Sequence, residues 1–401
     1  MESNKNGRYI TSVSLGTAAV WFSTHCGAGF ASGTQELQYF ASHGWFGPLM
    51  PIISIIIIGI TYYICIENAR QTDKWSYNLW SAEAFKPISK FGQIAMEIGA
   101  VIVTVSASAA AIASGANLVN QELGIPVWMG SILMFAIITL LVIFGEKVVR
   151  SNAMIMSSAI IIILAIVLAL GLAKFWPHIK ELYGSGYVNP EAPTWSITDS
   201  TETQEGSFGN SLLWALTYSG FQVSAIGGIA ASFKGAMSKK ESKGAIGIGI
   251  VLNILMLSGV CLLIFSGMPE LYGNEEAKLL PTVYMVNQID VPFLNVLYPL
   301  LLFLALVTTA VGLIFGTVQR IDPYVLKNMK NKLLRRIIIA IGCLLVCYGI
   351  SLMGLMWVIQ VAYKYLGIYS WIFLIIPLWI LGFKNIRKRN KEKKDKSSIN
   401  V

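Results

Sequence analysis

The chain has 401 residues, of which 55% are hydrophobic and only 13% charged, and its mean hydropathy is +0.63. Soluble domains carry about 25% charged residues, so this composition excludes a soluble globular protein and indicates a polytopic membrane protein. The net charge of +9 does not by itself indicate a nucleic-acid partner, because in a membrane protein the position of the basic residues decides their meaning.

Apolar runs long enough to cross a bilayer as helices, about 20 residues or more, recur along the whole chain. The first run extends well past the short core of a signal peptide and lacks a small-residue cleavage site, so we expect it to be retained. We predict ten spans, at approximately 9–41, 46–68, 91–119, 126–145, 149–175, 210–232, 241–267, 283–318, 335–354 and 356–382.

The basic residues between these runs predict the orientation. Of the 30 Lys and Arg residues, 26 fall at the termini or in alternate loops on one side. Positive loops stay in the cytoplasm, which predicts a multi-pass protein of the cell membrane with both termini inside. The longest external segment, 176–209, separates a first five-helix repeat, 1–175, from a second, 210–383, and 384–401 forms a basic cytoplasmic tail.

The first span contains Cys-Gly-Ala-Gly-Phe-Ala-Ser-Gly from Cys26 to Gly33. Each glycine costs roughly 1 kcal/mol in a helix interior, so the pattern predicts an interruption after His25. An interrupted helix is tolerated in a bilayer only where it lines an enclosed cavity, and secondary transporters bind solutes and ions at such interruptions. His25 is either a packed neutral side chain or a proton or substrate contact.

The sixth span, at the matching place in the second half, has polar residues in its centre, Thr217, Ser219, Gln222 and Ser224, followed by Gly227-Gly228. Matching weak points in both halves favour an inverted repeat. Glycines also serve close helix packing in membranes, and that alternative remains open here. A helix N-terminus freed by an interruption would suit a carboxylate.

Three further spans carry unusual polar residues. In the eighth span, Thr308 and Thr309 are adjacent, although such hydroxyls commonly bond to a carbonyl one turn earlier. Charged groups inside membranes are functional candidates: Glu97 near the start of the third span either pairs with a loop residue or carries a proton, and Lys364 lies in the tenth. Ser108, in the third span, could reach a substrate.

Ten helices in two halves, Gly-Ala-Gly at 27–29, Ser-Gly-Phe at 219–221 and Ala-x-x-Thr-Thr at 305–309 together resemble the LeuT-fold (amino acid–polyamine–organocation) superfamily. The motif at 26–36 is most similar to the YkvI-type group of bacterial membrane proteins. The resemblance implies an all-α polytopic membrane protein with ten transmembrane helices in two inverted five-helix repeats, helices 1 and 6 being discontinuous.

The resemblance also implies a sodium ion as the inorganic cofactor, with no organic cofactor. Carried over from sodium-coupled members, its ligands are the carbonyls of Ser23, Cys26 and Ala305 and the hydroxyls of Thr308 and Thr309. Some proton-coupled relatives place a lysine of the fifth helix there, and this chain has none before Lys174.

The implied substrate site lies at the two interruptions. We expect it to include the polar face of the third span and the glycine-rich and aromatic residues of the first and sixth: Gly27, Ala28, Gly29, Phe30, Ser108, Tyr218, Ser219, Gly220, Phe221 and Gln222. In some relatives charges on helices 1 and 10 form an outer gate. Here Glu36 and Lys364 are the corresponding candidates, with the signs reversed; alternatively, Lys364 binds a substrate carboxylate.

The prediction is a sodium-coupled symporter of a small organic solute, with an amino acid or related zwitterion as the best candidate. Its helices 1, 2, 6 and 7 would rock as a group, and its partners would be the solute and the bilayer, with no nucleic acid. Proton coupling through His25 or Glu97 and a small-molecule sensor on the same fold are the alternatives. An enzyme is disfavoured, because the sequence has no metal cluster, nucleophile–base motif or nucleotide loop.

Overall fold

The computed structural model describes residues 8–25, 28–144, 146–198, 202–226 and 238–399, and these are almost entirely helical. The only strands in these ranges are β1, Ala192–Pro193, and β2, Thr203–Gln204, which pair antiparallel. The helices of the first half are α1 Ser12–His25, α2 Ala28–Ser32, α3 Thr34–Tyr39, α4 Met50–Thr72, α5 Tyr77–Ala84, α6 Ser89–Leu123, α7 Val127–Phe144 and α8 Glu146–Gly184.

The second half begins with α9, which is followed by the long helices of the remaining spans and two short external helices. They are α9 Phe208–Val223, α10 Lys239–Phe265, α11 Glu275–Leu279, α12 Pro281–Ile289, α13 Pro292–Ile321, α14 Lys332–Ser351 and α15, which begins at Leu355 and ends with the stretch Phe383–Ile399. α15 contains π-helical turns at Val358–Ala362, Trp371–Ile375 and Leu378–Gly382.

Eight of the described helices are long and apolar enough to cross a membrane. The first predicted span is described as α1, α2 and α3 without residues 26 and 27, and the sixth is described only as far as residue 226. The glycines from which the sequence predicts interruptions in these spans are only partly described, because Gly27, Gly227 and Gly228 lie outside the described residues.

Three boundaries differ from the predicted ones. α8 continues to Gly184, so the first nine residues of the predicted external segment are helical. The predicted eighth span is two helices, because Asp290 adopts φ 62° and ends α12 before α13 begins. The basic tail is helical as far as Ile399.

The long helices pack in two groups. α1 packs on α10, α10 on α4, and α4 on α9, so the helices of predicted spans 1, 2, 6 and 7 form one group. α6 packs on α7, α13 and α14, and α13 also packs on α8, which forms the second group. α15 lies against both α9 and α6. We call the side of the bundle where α1 begins and α15 ends the terminal side, and the opposite side, which holds residues 185–207, the loop side.

Candidate functional site

Among the described residues, the first span is interrupted at Gly33. The break that the sequence predicts at Gly27–Gly29 is not fully covered, because Gly27 lies outside the described residues together with Cys26. α2 ends after Ser32 because Gly33 adopts φ 83°, a left-handed conformation that glycine accepts without strain. A side chain at Gly33 would also collide with Thr282 of α12, whose hydroxyl oxygen would be 2.2 Å from its Cβ.

His25, the last residue of α1, joins three helices through a continuous set of hydrogen bonds. The amide nitrogen of Asn253 donates to the Gly249 carbonyl, so its oxygen is free to accept from His25 Nδ1–H at 2.6 Å. His25 Nε2 then accepts from the hydroxyl of Tyr218 at 2.7 Å, and Tyr218 in turn accepts from Gln222 Nε2 at 3.4 Å. Both ring nitrogens of His25 therefore have a hydrogen-bond partner when the imidazole is neutral.

Aromatic rings fill the space between α3, α9 and α15 on the loop side of His25. Phe221 stacks on Tyr363 with 4.7 Å between ring centroids and 8° between planes. Tyr39 packs edge-on against Tyr218 at 5.6 Å and Trp214 at 5.2 Å. All five rings are buried, so the protein is closed on the loop side in this conformation.

The predicted substrate residues separate into two sets. Phe30, Tyr218, Phe221 and Gln222 converge around His25, with Phe30 5.6 Å from the imidazole centroid. The position of Gly29 is also tight, since a Cβ there would overlap the side chain of Gln35. The backbone of Ala28 begins α2, while Gly27 is outside the described residues.

The other set serves helix packing. A Cβ on Gly220 would lie 2.3 Å from the Gly367 carbonyl oxygen, because α9 and α15 cross at this point. Ser219 donates to the Leu216 carbonyl at 2.6 Å. Ser108 is buried beside Cys347 of α14 and so faces the second group of helices. The structure therefore does not bring Ser108, Ser219 and Gly220 to the His25 cluster, which corrects their expected role.

Of the predicted sodium ligands, Ser23 lies on α1, Ala305, Thr308 and Thr309 lie on α13, and Cys26 is outside the described residues. Tyr298 of α13 donates to the Ala31 carbonyl of α2 at 2.7 Å. Thr308 is ten residues farther along α13, about 15 Å at 1.5 Å per residue. Thr308 Oγ1 lies 2.8 Å from the Leu304 carbonyl and 3.2 Å from the Ala305 carbonyl.

The predicted gate pair is not formed. Lys364 is buried and donates to the Ser196 carbonyl at 2.7 Å, in the segment after β1. Glu36 is also buried, and neither of its carboxylate oxygens has a hydrogen-bond partner among the described residues. The sequence predicts that both residues lie at similar depths, but it does not predict the direction of their side chains. In the structure, Lys364 points to the external segment and Glu36 to α10.

Residues 189–198 form a cover over the loop side, which only the length of the external segment indicates in the sequence. Trp195 inserts its indole toward α9 and donates to the Thr217 hydroxyl at 2.7 Å. The Pro193 carbonyl accepts from the Trp214 indole at 2.9 Å, and the Ile197 carbonyl accepts from Tyr365 at 2.7 Å. With the Lys364 bond, these contacts attach the cover to α9 and α15.

Glu97, the alternative proton carrier, belongs to a network on the terminal side. Its carboxylate accepts from the Tyr77 hydroxyl of α5 and lies 3.7 Å from Arg320 at the end of α13. Arg320 also donates to Tyr77 at 3.3 Å and to Thr317 at 3.0 Å. The Glu97 side chain is about half exposed (49%), so it is a surface ion pair that links α5, α6 and α13.

No protein-family model and no curated protein matches the sequence, but solved structures match most of the chain. MhsT in complex with L-phenylalanine matches with a TM-score of 0.57 and 14% identity, over 96% of this chain and 99% of that chain. Mhp1 in an inward-facing conformation matches with a TM-score of 0.56 and 13% identity, over 92% and 76%. A Na+-coupled sialic acid symporter, outward-open and substrate-bound, matches at 0.55 and 12%, over 93% and 78%.

These neighbours are LeuT-fold proteins. The predicted fold class is thereby confirmed: a polytopic all-α membrane protein with ten transmembrane helices in two inverted five-helix repeats. The narrower resemblance to the YkvI-type group stays a prediction.

Proposed function

We propose that this LeuT-fold chain is a secondary transporter that couples uptake of a small organic solute to sodium, by alternating access. The observation that carries the proposal is a buried polar and aromatic cluster, His25, Tyr218 and Gln222 with Phe30 and Phe221, around a first span that is interrupted at Gly33. Interrupted helices at the centre of a bundle are the sites where transporters bind solutes.

An amino acid or related zwitterion fits this cluster. The aromatic rings around His25 suit an apolar side chain. Among the neighbours, the MhsT structure contains L-phenylalanine, whereas the symporter structure is of a sialic acid carrier. The choice of an amino acid rests on the cluster and not on the neighbours.

The support for sodium coupling is the pair of adjacent threonines, Thr308 and Thr309, on α13. Thr308 uses its hydroxyl hydrogen within its own helix, which leaves lone pairs that a hard cation accepts. α13 also bonds to the first span, through Tyr298 and the Ala31 carbonyl. One neighbour is a Na+-coupled symporter.

Alternating access is supported by the separate packing of the two helix groups. α1, α4, α9 and α10 pack on one another, and the loop side is closed over them by aromatic rings and by residues 189–198. Opening on the loop side would require α9 to move relative to α15, which would separate the close glycine contacts, the Phe221–Tyr363 stack and the Trp371–Leu216 hydrogen bond.

The test is thermal unfolding of the purified protein in sodium, potassium or choline chloride at equal ionic strength, with a panel of amino acids. Sodium that binds only the folded state stabilises it by about 2.7 kcal/mol at one hundred times its Kd. We expect sodium-specific stabilisation, increased by one class of solute and lost in Thr308→Ala/Thr309→Ala.

The matched control is Thr139→Ala, in which a threonine of α7 that bonds back to the Phe135 carbonyl is removed in the same way. It should keep the sodium response. Solute binding that ignores sodium would contradict the coupling and favour a sensor or a proton-coupled carrier, and equal loss in both variants would contradict the assigned site.

A further inference from the structure

Glu36 is a buried carboxyl group that the proposed sodium and solute sites do not use. It lies in α3, the six-residue helix that follows Gly33, whose backbone is left-handed, and that ends before Phe40, whose backbone is not helical. Its exposed fraction is 0%, and neither carboxylate oxygen has a hydrogen-bond partner among the described residues.

An ionised carboxylate in these surroundings would lose its hydration with no compensation. Burying a charge is tolerated when the charge is paired, binds a metal or is neutralised. Pairing is absent, since Lys364 is bonded to Ser196 and Glu36 has no ion-pair partner in the described part of the chain. The described residues also contain no group of three or more His, Cys, Asp or Glu that could hold a metal ion, and no hydroxyl bonds to Glu36. Of the three ways to bury this carboxyl group, the described residues leave neutralisation by a bound proton.

The groups facing Glu36 agree with a neutral acid. α3 packs against α9, α10, α11, α12 and the start of α15. The titratable group that interacts with Glu36 is the thiol of Cys261 on α10.

Titratable side chains of the other packed elements are engaged elsewhere. On α9, Tyr218 bonds to His25, and on α15, Tyr363 stacks on Phe221. On α11, Glu275 pairs with Lys278, beside exposed Glu276. α12 carries half-buried Tyr284 and ends at exposed Asp290, and the turn after α3 carries buried His43.

The short helices α11 and α12 separate this carboxyl group from the loop side. Thr34 donates its hydroxyl hydrogen to the Leu279 carbonyl at 2.7 Å, where α11 meets α12. Gly33 allows Thr282 of α12 to approach the backbone of the first span closely. The helices α11 and α12 therefore lie on α3, and lifting them would expose α3 to water.

We infer that Glu36 is a proton-binding site whose proton exchanges with the loop side when α11 and α12 lift from α3. This inference rests on the proposed transport function, to which it adds a second coupling ion. In the closed conformation the proton stays on a carboxyl oxygen of Glu36. On opening, that O–H bond breaks, the proton passes to water on the loop side, and the hydrated carboxylate remains until closure requires a proton again.

The first test is infrared spectroscopy of the purified protein at neutral pH, without sodium or solute. We expect a carbonyl-stretch band of a protonated carboxylic acid that shifts in D2O, is lost in Glu36→Gln and is kept in the control Glu276→Gln, which changes an exposed carboxylate of α11. If Glu36→Gln does not fold, Cys261→Ala should shift the same band, because the buried thiol interacts electrostatically with the carboxyl group. A wild-type protein without the band overturns the inference.

The second test measures how fast that band exchanges hydrogen for deuterium. Thr34→Val removes the bond to Leu279, so we expect exchange at least several-fold faster, whereas Thr139→Val should leave the rate unchanged. A rate that does not respond to Thr34→Val overturns the proposed route. Since both tests omit sodium and solute, they are independent of the sodium response: a failed sodium site leaves the band in place, and a missing band leaves the sodium response intact.

Discussion

The crossing of α9 and α15 allows a quantitative prediction for Gly220→Ala. The new Cβ would lie 2.3 Å from the Gly367 carbonyl oxygen and 2.9 Å from the Gly367 Cα. Backbone atoms cannot rotate away as a side chain can, so the two helices must separate by more than half an ångström. Overpacking of this kind costs about 1–3 kcal/mol, while alanine regains up to about 1 kcal/mol of helix propensity. We therefore expect a net loss of up to about 2 kcal/mol.

The assay is thermal unfolding in detergent, with Gly349→Ala in α14 as the matched control. A Cβ at Gly349 meets nothing within 4 Å, so this variant has the same gain in propensity without the collision and should be as stable as the wild type or more so. Gly367→Ala should resemble Gly220→Ala, because its Cβ would lie 2.4 Å from the Thr217 carbonyl oxygen. The double variant should lose less than the sum, since one separation relieves both collisions. Gly220→Ala at least as stable as Gly349→Ala would refute the reasoning.

Three more outcomes are expected. Asn253→Ala leaves His25 Nδ1–H buried without its acceptor, which should lower the free energy of unfolding by about 1–3 kcal/mol. The same substitution in a His25→Ala background should lower it by less, and equal losses in the two backgrounds would argue against the bond. Lys364→Met removes the bond to the 189–198 segment, so limited proteolysis should cut that segment faster, and an unchanged cleavage rate would contradict its role. The hydrogen bond from Arg335 lowers the pKa of Asp322, so this carboxylate stabilises the folded state above its ordinary pKa and the contribution is lost as the pH falls through the lowered value; an Asp322→Asn variant with the same acid sensitivity as the wild type would show that the pair contributes nothing.

The helical architecture could be predicted from the sequence because its signals are local. A run of about 20 apolar residues must satisfy its own backbone hydrogen bonds in a bilayer, and only a helix does so within one segment. The glycines at 27–29 likewise predict an interruption from their own conformational cost, whereas the interruption in the described residues is at Gly33. One prediction was wrong: 283–318 is predicted as a single span, but Asp290 and Pro292 divide it into α12 and α13.

The partners of the polar groups were decided by the tertiary structure. His25 is bonded to residues 193 and 228 positions away, and Lys364 to a carbonyl 168 positions away. The sequence predicts that Glu36 and Lys364 lie at similar depths. In the structure, the rotation of the helices directs Lys364 to the external segment, where it bonds to Ser196, and directs Glu36 to Cys261. The sequence alone thus determined which segments are helices and where a helix is weak. Helix rotation and long-range packing decided which side chains meet, because both depend on all the helices at once.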